Sequence, residues 1–202
     1  MWRCASLTCR KTHSTSDGLL PSKIAVDMIG ASLSINGWPL RIDSSSRYRA
    51  MEIRQAQLTD ASEACRVLRS SIAELCRADH ENDPALLRRW LSNKTPDNVR
   101  LWIQHPQSHV FVAVENNEII GVGAVTAAGE VTLNYVAPPA RFRGVSKALL
   151  KHLELKVTEL GKTTCVLTST KTAHRFYLSA GYVDQASDDT GYRMSKHLFP
   201  TA

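Results

Sequence analysis

The stretch that decides the fold is Leu133-Asn-Tyr-Val-Ala-Pro-Pro-Ala-Arg-Phe-Arg-Gly-Val-Ser-Lys-Ala-Leu-Leu150. It begins with strand-forming residues, turns at two prolines, and passes through a basic loop that contains Gly144. From Val145 onward, apolar residues recur at the spacing of one helix face. The stretch therefore predicts a strand, a basic loop and a helix in direct succession.

The loop and the start of the helix have the chemistry of a phosphate site. The first N–H groups of a helix lack intrahelical partners and lie at the positive end of its dipole, so they attract anions. Gly144 allows the backbone to approach a ligand closely, and Arg141, Arg143 and Lys147 add positive charge. An ordinary strand-to-helix loop with solvated basic residues has the same spacing, so spacing alone leaves both interpretations open.

Elements on either side extend this pattern into a whole domain. Asn116–Asn117 is typical of a hairpin turn, and Asp60 with Glu63 resembles a capping box at a helix start. The predicted strands are Met51–Ala56, Val110–Val114, Ile119–Thr126, Glu130–Val136, Cys165–Thr168 and Tyr192–Leu198. The predicted helices are 60–76, one that starts at Pro84, Val145–Leu160 and Thr172–Ser179. This order predicts an α+β fold with a mixed, mainly antiparallel sheet of six to seven strands and helices on both faces.

Length, charge and cysteine usage exclude several classes of protein. The chain has 202 residues, and no stretch reaches the roughly 18 apolar residues of a membrane-spanning helix. The first 50 residues carry seven basic and three acidic residues, so little of the net charge of +6 remains for the rest. A nucleic-acid-binding domain concentrates positive charge in its folded part, so nucleic acid is not an expected partner. The five scattered cysteines indicate neither a disulfide framework nor a zinc site and are typical of a cytoplasmic protein.

Residues 1–50 differ in composition from the rest of the chain. Ser and Thr are frequent, Gly and Pro interrupt, and no apolar periodicity lasts through a full element. We predict that residues 1–50 form an N-terminal extension, either disordered or placed before the true start, and that the domain comprises residues 51–202.

A second segment forms a pair of motifs with the basic loop. Its sequence is Thr170-Lys-Thr-Ala-His-Arg-Phe-Tyr-Leu-Ser-Ala-Gly-Tyr182. It resembles the N-x-x-A-x-x-F-Y-x-x-x-G-F/Y segment of the GNAT superfamily of N-acetyltransferases. Arg141-Phe-Arg-Gly-Val-Ser146 is similar to the R/Q-x-x-G-x-G/A pyrophosphate loop of that family. The resemblance covers residues 51–202 and departs from the family at Ser146, where Gly or Ala is usual, and at Thr170, where Asn is usual.

The resemblance implies acetyl-CoA as co-substrate and assigns residues to it. The amides of Tyr135 and Val136 are expected on the pantetheine arm, and the Val136 N–H is expected to polarise the thioester carbonyl. The cofactor-binding set implied by the resemblance is Tyr135, Val136, Arg141, Phe142, Arg143, Gly144, Val145, Ser146 and Thr170. The Ser146 hydroxyl is expected to reach a phosphate.

Tyr177 occupies the position of the family's general acid. The leaving thiolate needs a proton, and a phenol with a pKa of about 10 can supply one to a thiol with a pKa of roughly 8.5. Glu130 is the candidate general base, and a solvated charge at a strand end is the alternative. Glu74 and Asp79 are candidate contacts for a cationic acceptor, and for Asp79 a surface loop that caps the next helix through Asp83 and Pro84 is the alternative.

Taken together, the residues predict direct transfer of an acetyl group from acetyl-CoA to a primary amine, without a metal and without a covalent enzyme intermediate. The acidic cluster from Asp79 to Asp83 lacks a second histidine at metal-ligand spacing, so no metal site is expected there. The acceptor is a small molecule or a peptide. A non-catalytic acyl-CoA-binding sensor or regulatory module is the alternative function.

Overall fold

Two units make up the chain, and the computed structural model describes residues 34–35, 38–39, 51–188 and 191–198. In the unit formed by residues 10–48, β1 (Ser34–Ile35) pairs antiparallel with β2 (Trp38–Pro39). The remainder of residues 1–50 lies outside the described residues. The expectation of a disordered or misassigned N-terminal extension therefore stays a prediction.

A seven-stranded sheet organises the other unit. Its order is β3-β4-β5-β6-β7-β9-β8, and each neighbouring pair is antiparallel except β6 with β7, which is parallel. The strands are β3 (Glu52–Gln55), β4 (Ser108–Glu115), β5 (Glu118–Thr126), β6 (Glu130–Val136), β7 (Thr164–Ser169), β8 (Val183–Asp188) and β9 (Gly191–His197). This arrangement confirms the predicted α+β class and mainly antiparallel sheet.

Helices cover both faces of this sheet, as predicted. They are α1 (Ala61–Leu75), α2 (Arg77–His80), α3 (Pro84–Leu91), α4 (Pro96–Gln104), α5 (Val145–Glu159) and α6 (Lys171–Ser179). One apolar core joins α1 and α4 to one face of β4, β5 and β6, and a second core joins α5 and α6 to the opposite face. Among the described residues, no helix is both long enough and apolar enough to cross a membrane.

Side-chain caps and prolines set several helix starts. The carboxylate of Asp83 accepts a hydrogen bond from the Ala85 N–H at 2.8 Å, and Pro84 occupies the first turn of α3. Thr95 caps α4 in the same way, through the Asn98 N–H. The predicted helix start at Asp83 and Pro84 is confirmed, because an N-cap acceptor followed by proline satisfies the unpaired first turn.

The capping box expected from Asp60 and Glu63 does not form. Asp60 accepts hydrogen bonds from the Gln57 N–H and from both terminal nitrogens of Arg54. Glu63 accepts from the Ile119 N–H at 3.1 Å, so it ties α1 to the sheet. The expectation was wrong because Asp60 pairs with residues that precede the helix and Glu63 pairs with the sheet.

Strand β8 was missing from the sequence prediction. Residues 183–187 are all exposed, and β8 pairs with β9 alone at the edge of the sheet. An edge strand with both faces in solvent has no buried side to impose an apolar alternation. Its position follows from its pairing with β9, which periodicity does not reveal.

Helix α5 lies unusually close to β5 because two glycines face it. A Cβ atom on Gly121 would lie 2.8 Å from Leu149 Cδ1 and 2.9 Å from Val145 Cγ1. On Gly123 the nearest atom would be Leu153 Cδ1, at 3.2 Å. The first turn of α5, which carries the predicted phosphate loop, is therefore positioned by contact with the Gly121 backbone.

Replacing Gly121 with alanine is expected to lower the free energy of unfolding by about 1–3 kcal/mol, because the methyl group overpacks the α5 contact. Gly123→Ala is the matched control and should cost less, since its Cβ meets only leucine methyl groups at longer distances. Urea denaturation of both variants measures the difference. Equal costs would contradict the proposed close contact at Gly121.

A column of buried aromatic rings supports α6 from within the core. The ring of Tyr177 packs edge-on against Phe176 and Tyr182, with centroids 5.0 and 5.6 Å apart. The Tyr182 hydroxyl donates to the Cys165 Sγ at 3.1 Å. Burial raises the pKa of the Cys165 thiol from 9.0 to about 11, and burial also raises the pKa of Tyr182.

The raised pKa of Cys165 makes stability depend on pH in the alkaline range. Unfolding lets the thiol ionise near its ordinary pKa of 9.0, whereas the folded thiol holds its proton to about 11. The contribution of Cys165 to the free energy of unfolding should therefore be fully present below pH 9 and should fall as the pH rises toward 11. Chemical denaturation at a series of pH values checks this. Cys165→Ala should show a flatter decline, and an identical decline would contradict the assignment.

Candidate active site between strands β6 and β7

A gap opens between β6 and β7 in the middle of the sheet. The two strands pair only at Glu130 with Val166 and at Val131 with Leu167. Strand β6 continues to Val136 and β7 to Ser169, so they diverge beyond these two pairs. The gap has a closed end near Val131 and an open end near Val136, where the chain turns toward α5.

The register of β6 against β5 determines which amides face this gap. The Ala137 N–H donates to the Ile120 C=O at 2.9 Å, and Val136 lies opposite Gly121. Hydrogen-bonded and non-hydrogen-bonded pairs alternate in an antiparallel ladder. The N–H groups of Asn134 and Val136 therefore point away from β5 and toward the gap.

The same alternation assigns the Tyr135 amide to Val122 of β5, which lies opposite it. The expected contact of the Tyr135 amide with a pantetheine arm therefore does not fit this register. The amides of Val136 and Asn134 are the ones that face the gap in this register.

The basic loop ends at the start of α5, where the first backbone N–H groups lack acceptors within the helix. Phe142 has φ 64° and Gly144 has φ 83°, and Gly144 is the N-cap of α5. The first intrahelical bond joins the Ala148 N–H to the Gly144 C=O at 3.0 Å, so the N–H groups of residues 145–147 have no acceptor within the helix. A Cβ atom on Gly144 would meet nothing within 4 Å, so its positive φ, and not crowding, favours glycine here.

Ser146 directs its hydroxyl into the protein. The hydroxyl donates to the Asn134 Oδ1 at 3.1 Å, and Asn134 Nδ2 approaches the Ser146 C=O at 3.4 Å. The same Nδ2 lies 3.5 Å from the Tyr177 hydroxyl oxygen. The expectation that the Ser146 hydroxyl reaches a phosphate is not met in this arrangement, because Asn134 is its partner.

Asn134 therefore connects the two motifs found in the sequence. Ser146 belongs to the basic loop and Tyr177 to the second segment, and both lie within hydrogen-bonding distance of one amide side chain. Asn134 and Tyr177 are each 1% exposed. Sequence reasoning did not single out Asn134, although an asparagine within the apolar run from Val131 to Val136 was a signal.

Two arginines of the loop have different surroundings. The Arg143 guanidinium contacts both carboxylate oxygens of Glu115 at 2.6 Å. The Arg141 guanidinium lies over the Phe142 ring, 4.5 Å from its centroid, and its Nε is buried without a hydrogen-bond partner. Glu115 was not predicted, and it reduces the positive charge at the loop.

Thr170 begins α6 beside the open end of the gap. Its hydroxyl accepts from the Ala173 N–H at 3.4 Å, so the residue caps the helix. Asp79 of α2 accepts from the Thr172 N–H at 3.1 Å and joins α2 to the same helix start. The carboxylate predicted to contact an acceptor thus has a structural partner on α6, which differs from the predicted cap of the next helix through Asp83 and Pro84.

Glu74 lies apart from Asp79, in a cavity of about 490 Å³ between α1 and the basic loop. Arg66, Glu115 and Arg143 also line this cavity. The structure therefore does not bring Glu74 and Asp79 together into an acidic acceptor site.

Glu130 lies at the closed end of the gap. Its Oε1 accepts a hydrogen bond from Arg193 Nη1 of β9 at 2.8 Å, and its side chain is 38% exposed. Because neighbouring residues in paired strands share a face, Glu130 and Val166 project to the face opposite α5 and α6. Within residues 51–188 and 191–198, no cluster of three or more His, Cys, Asp or Glu side chains could hold a metal ion.

Solved structures with the same fold are numerous. The PaiA N-acetyltransferase from Thermoplasma acidophilum, in complex with coenzyme A, superposes with a TM-score of 0.64 at 18% identity, over 74% of this chain and 99% of its own. A GCN5-related N-acetyltransferase from Rhodopseudomonas palustris gives a TM-score of 0.65 at 18% identity, over 75% of this chain and 98% of its own. An aminoglycoside 6'-N-acetyltransferase complexed with coenzyme A gives 0.56 at 15% identity, over 75% and 99%. At these identities the likeness shows the fold.

Sequence comparison adds the family. No protein of curated function matches the chain in sequence. Residues 76–194 match the family profile described as an acetyltransferase (GNAT) domain, which is more than half of the chain. The matched region includes the gap, the basic loop and α6. The chain therefore belongs to the GNAT family of acetyltransferases, enzymes that transfer an acyl group from acetyl-CoA.

Proposed function

We propose that this protein transfers the acetyl group of acetyl-CoA directly to a primary amine, with Tyr177 as general acid. The observation that carries the proposal is the convergence of three groups on one gap. These are the helix start at Gly144, the inward amides of Asn134 and Val136, and the Tyr177 hydroxyl.

The donor lies along β6 with its pyrophosphate at the start of α5. The N–H groups of residues 145–147 and the positive end of the α5 dipole receive the phosphates, and Arg141 and Arg143 supply charge. Arg143 exchanges Glu115 for phosphate when the donor binds. The pantetheine arm extends the sheet by pairing with the Val136 amide, because β7 has diverged there.

The Asn134 N–H polarises the thioester carbonyl. The Asn134 side-chain Nδ2 lies 3.5 Å from the Tyr177 hydroxyl oxygen, so Asn134 contacts the proposed proton donor directly. A hydrogen bond to the developing oxyanion stabilises the tetrahedral intermediate. The amine nitrogen bonds to the carbonyl carbon, the C–S bond breaks, and the thiolate takes its proton from Tyr177.

Glu130 accepts the proton that the amine loses. Its carboxylate lies on the face opposite α5 and α6, at the closed end of the gap. Glu130 is itself one of the two β6 residues that pair with β7. Arg193 holds the carboxylate in one orientation through the hydrogen bond that its Nη1 donates. The acceptor approaches from the face that carries Glu130, because α5 and α6 bring the donor-binding groups to the gap from the opposite face.

Replacing Tyr177 with phenylalanine should lower kcat by about 100-fold or more and leave the Kd for acetyl-CoA within a few-fold, because proton donation acts only as the thiolate leaves. Tyr182→Phe is the matched control, since it removes a hydroxyl from the same aromatic column without touching the gap. Calorimetric titration with acetyl-CoA and thiol-release assays measure the two quantities. A protein that binds acetyl-CoA and shows no turnover before mutation is the non-catalytic sensor or regulatory module.

Replacing Glu130 with glutamine should make kcat/KM depend steeply on pH. Without a carboxylate the enzyme can use only amine that is already neutral, so kcat/KM should rise about tenfold per pH unit below the pKa of the amine. Wild-type protein should show a shallower slope. Glu52→Gln, on the edge strand β3, is the control. Identical slopes for all three proteins would exclude Glu130 as the base.

A further inference from the structure

A cavity of about 440 Å³ lies beside the closed end of the gap, on the α4 side of the sheet. This volume is in the range of sites that hold a small molecule. Thr132 and Leu133 of β6 form part of its wall. They directly follow Val131, the last residue of β6 that pairs with β7, so the cavity and the gap share one segment of strand.

The wall of this cavity is mainly apolar. Leu101, Trp102, Ala124 and Leu133 contribute to it, and Leu101 is 60% exposed at its rim. Among the described residues that line it, none is Asp, Glu, Lys or Arg. A wall of this kind favours an uncharged, apolar occupant.

Several polar atoms in the wall have partners within the protein. The Thr126 hydroxyl accepts from the Glu130 N–H at 3.2 Å, and the Thr132 hydroxyl lies 3.4 Å from the Ala124 C=O, to which it donates. His105 Nδ1 accepts from the Gln107 N–H at 3.1 Å. These three bonds occupy side-chain atoms that a hydrated, multiply charged ligand would otherwise use in exchange for water.

We propose that this cavity holds the apolar body of the acceptor, and that the acceptor is a primary amine on an aromatic or alkyl group. The inference rests on the proposed acetyl transfer and names its substrate class. The amine extends over Thr132 to the thioester in the gap. Glu130 precedes Thr132 by two residues, roughly 7 Å along a strand, so the proposed base lies beside the same path.

The competing classes of acceptor are polyamines, aminoglycosides and the lysine side chains of peptides. In these acceptors, the part that the enzyme must bind is positively charged. Their recognition requires carboxylates near the acceptor. Asp79 is bonded to the Thr172 N–H, and Glu74 lines the other cavity, next to Arg143. The charges that would select a polycation are therefore absent from the wall formed by the described residues.

An amine panel assayed with the full-length protein and acetyl-CoA tests the substrate class. 2-Phenylethylamine and hexylamine represent apolar amines, and spermidine and a short lysine peptide represent cationic ones. Initial rates of thiol release should give kcat/KM values at least about tenfold higher for the apolar pair, a difference of about 1.4 kcal/mol.

A charge placed at the cavity rim tests the location. Leu101→Glu should lower kcat/KM for 2-phenylethylamine at least about tenfold, because a carboxylate there must lose water when the apolar body enters. Leu155→Glu is the matched control, since Leu155 is 44% exposed on α5, on the opposite face. Both positions are exposed, so both variants should fold and keep the wild-type Kd for acetyl-CoA.

The outcomes separate this inference from the proposed function. If acetyl-CoA binds but cationic amines are used as well as apolar ones, or no apolar amine is used, the inference is overturned while the donor site stands. If Leu101→Glu and Leu155→Glu behave alike, the assigned location is overturned. If acetyl-CoA does not bind, the proposed function fails and the inference fails with it.

Discussion

The early end of the pairing between β6 and β7 is the constraint on which the rest of the site depends. Two residue pairs join the strands, after which β6 continues for five residues without β7 beside it. Unpaired strand edges are normally covered or avoided, because their N–H and C=O groups remain unsatisfied. In the middle of a sheet such an edge provides a place for a ligand that itself carries amides. The pantetheine arm of acetyl-CoA has this chemistry.

The packing of α5 on β5 brings the basic loop to this unpaired edge of β6. Gly121 and Gly123 let α5 lie directly on β5, so the start of α5 reaches the end of β6, where the chain turns. The phosphate loop and the gap are thereby joined through the backbone. Asn134 adds a side-chain connection, because its amide lies within hydrogen-bonding distance of Ser146 at the loop and of Tyr177 in the core. The proposed phosphate loop and the proposed proton donor therefore share one support.

In the proposed mechanism, the two faces of the sheet serve the donor and the acceptor separately. Helices α5 and α6 bury one face and bring Gly144, Ser146 and Tyr177 to the gap from that side. The other face carries Glu130 and Arg193 near the closed end, and α4 borders a cavity beside them. In the proposed mechanism, an amine that arrives on this face reaches the thioester carbon while the donor stays bound from the other side, and its attack then releases the thiol. Direct transfer needs this geometry, because donor and acceptor must be bound at the same time.

The sequence by itself determined the fold class, the order of most elements and the family, because local signals carry them: the turn at Asn116, the prolines before Arg141 and the Phe176–Tyr177 pair. It did not reveal β8, whose exposed residues have no periodicity, or the role of Asn134, which depends on contacts 12 and 43 residues away in the chain. Only the tertiary structure decided that the Asn134 amide replaces that of Tyr135 at the gap, that Ser146 turns inward, and that Asp79 caps α6. Each of these depends on strand register or on a partner distant in sequence, and neither is encoded in the spacing of nearby residues.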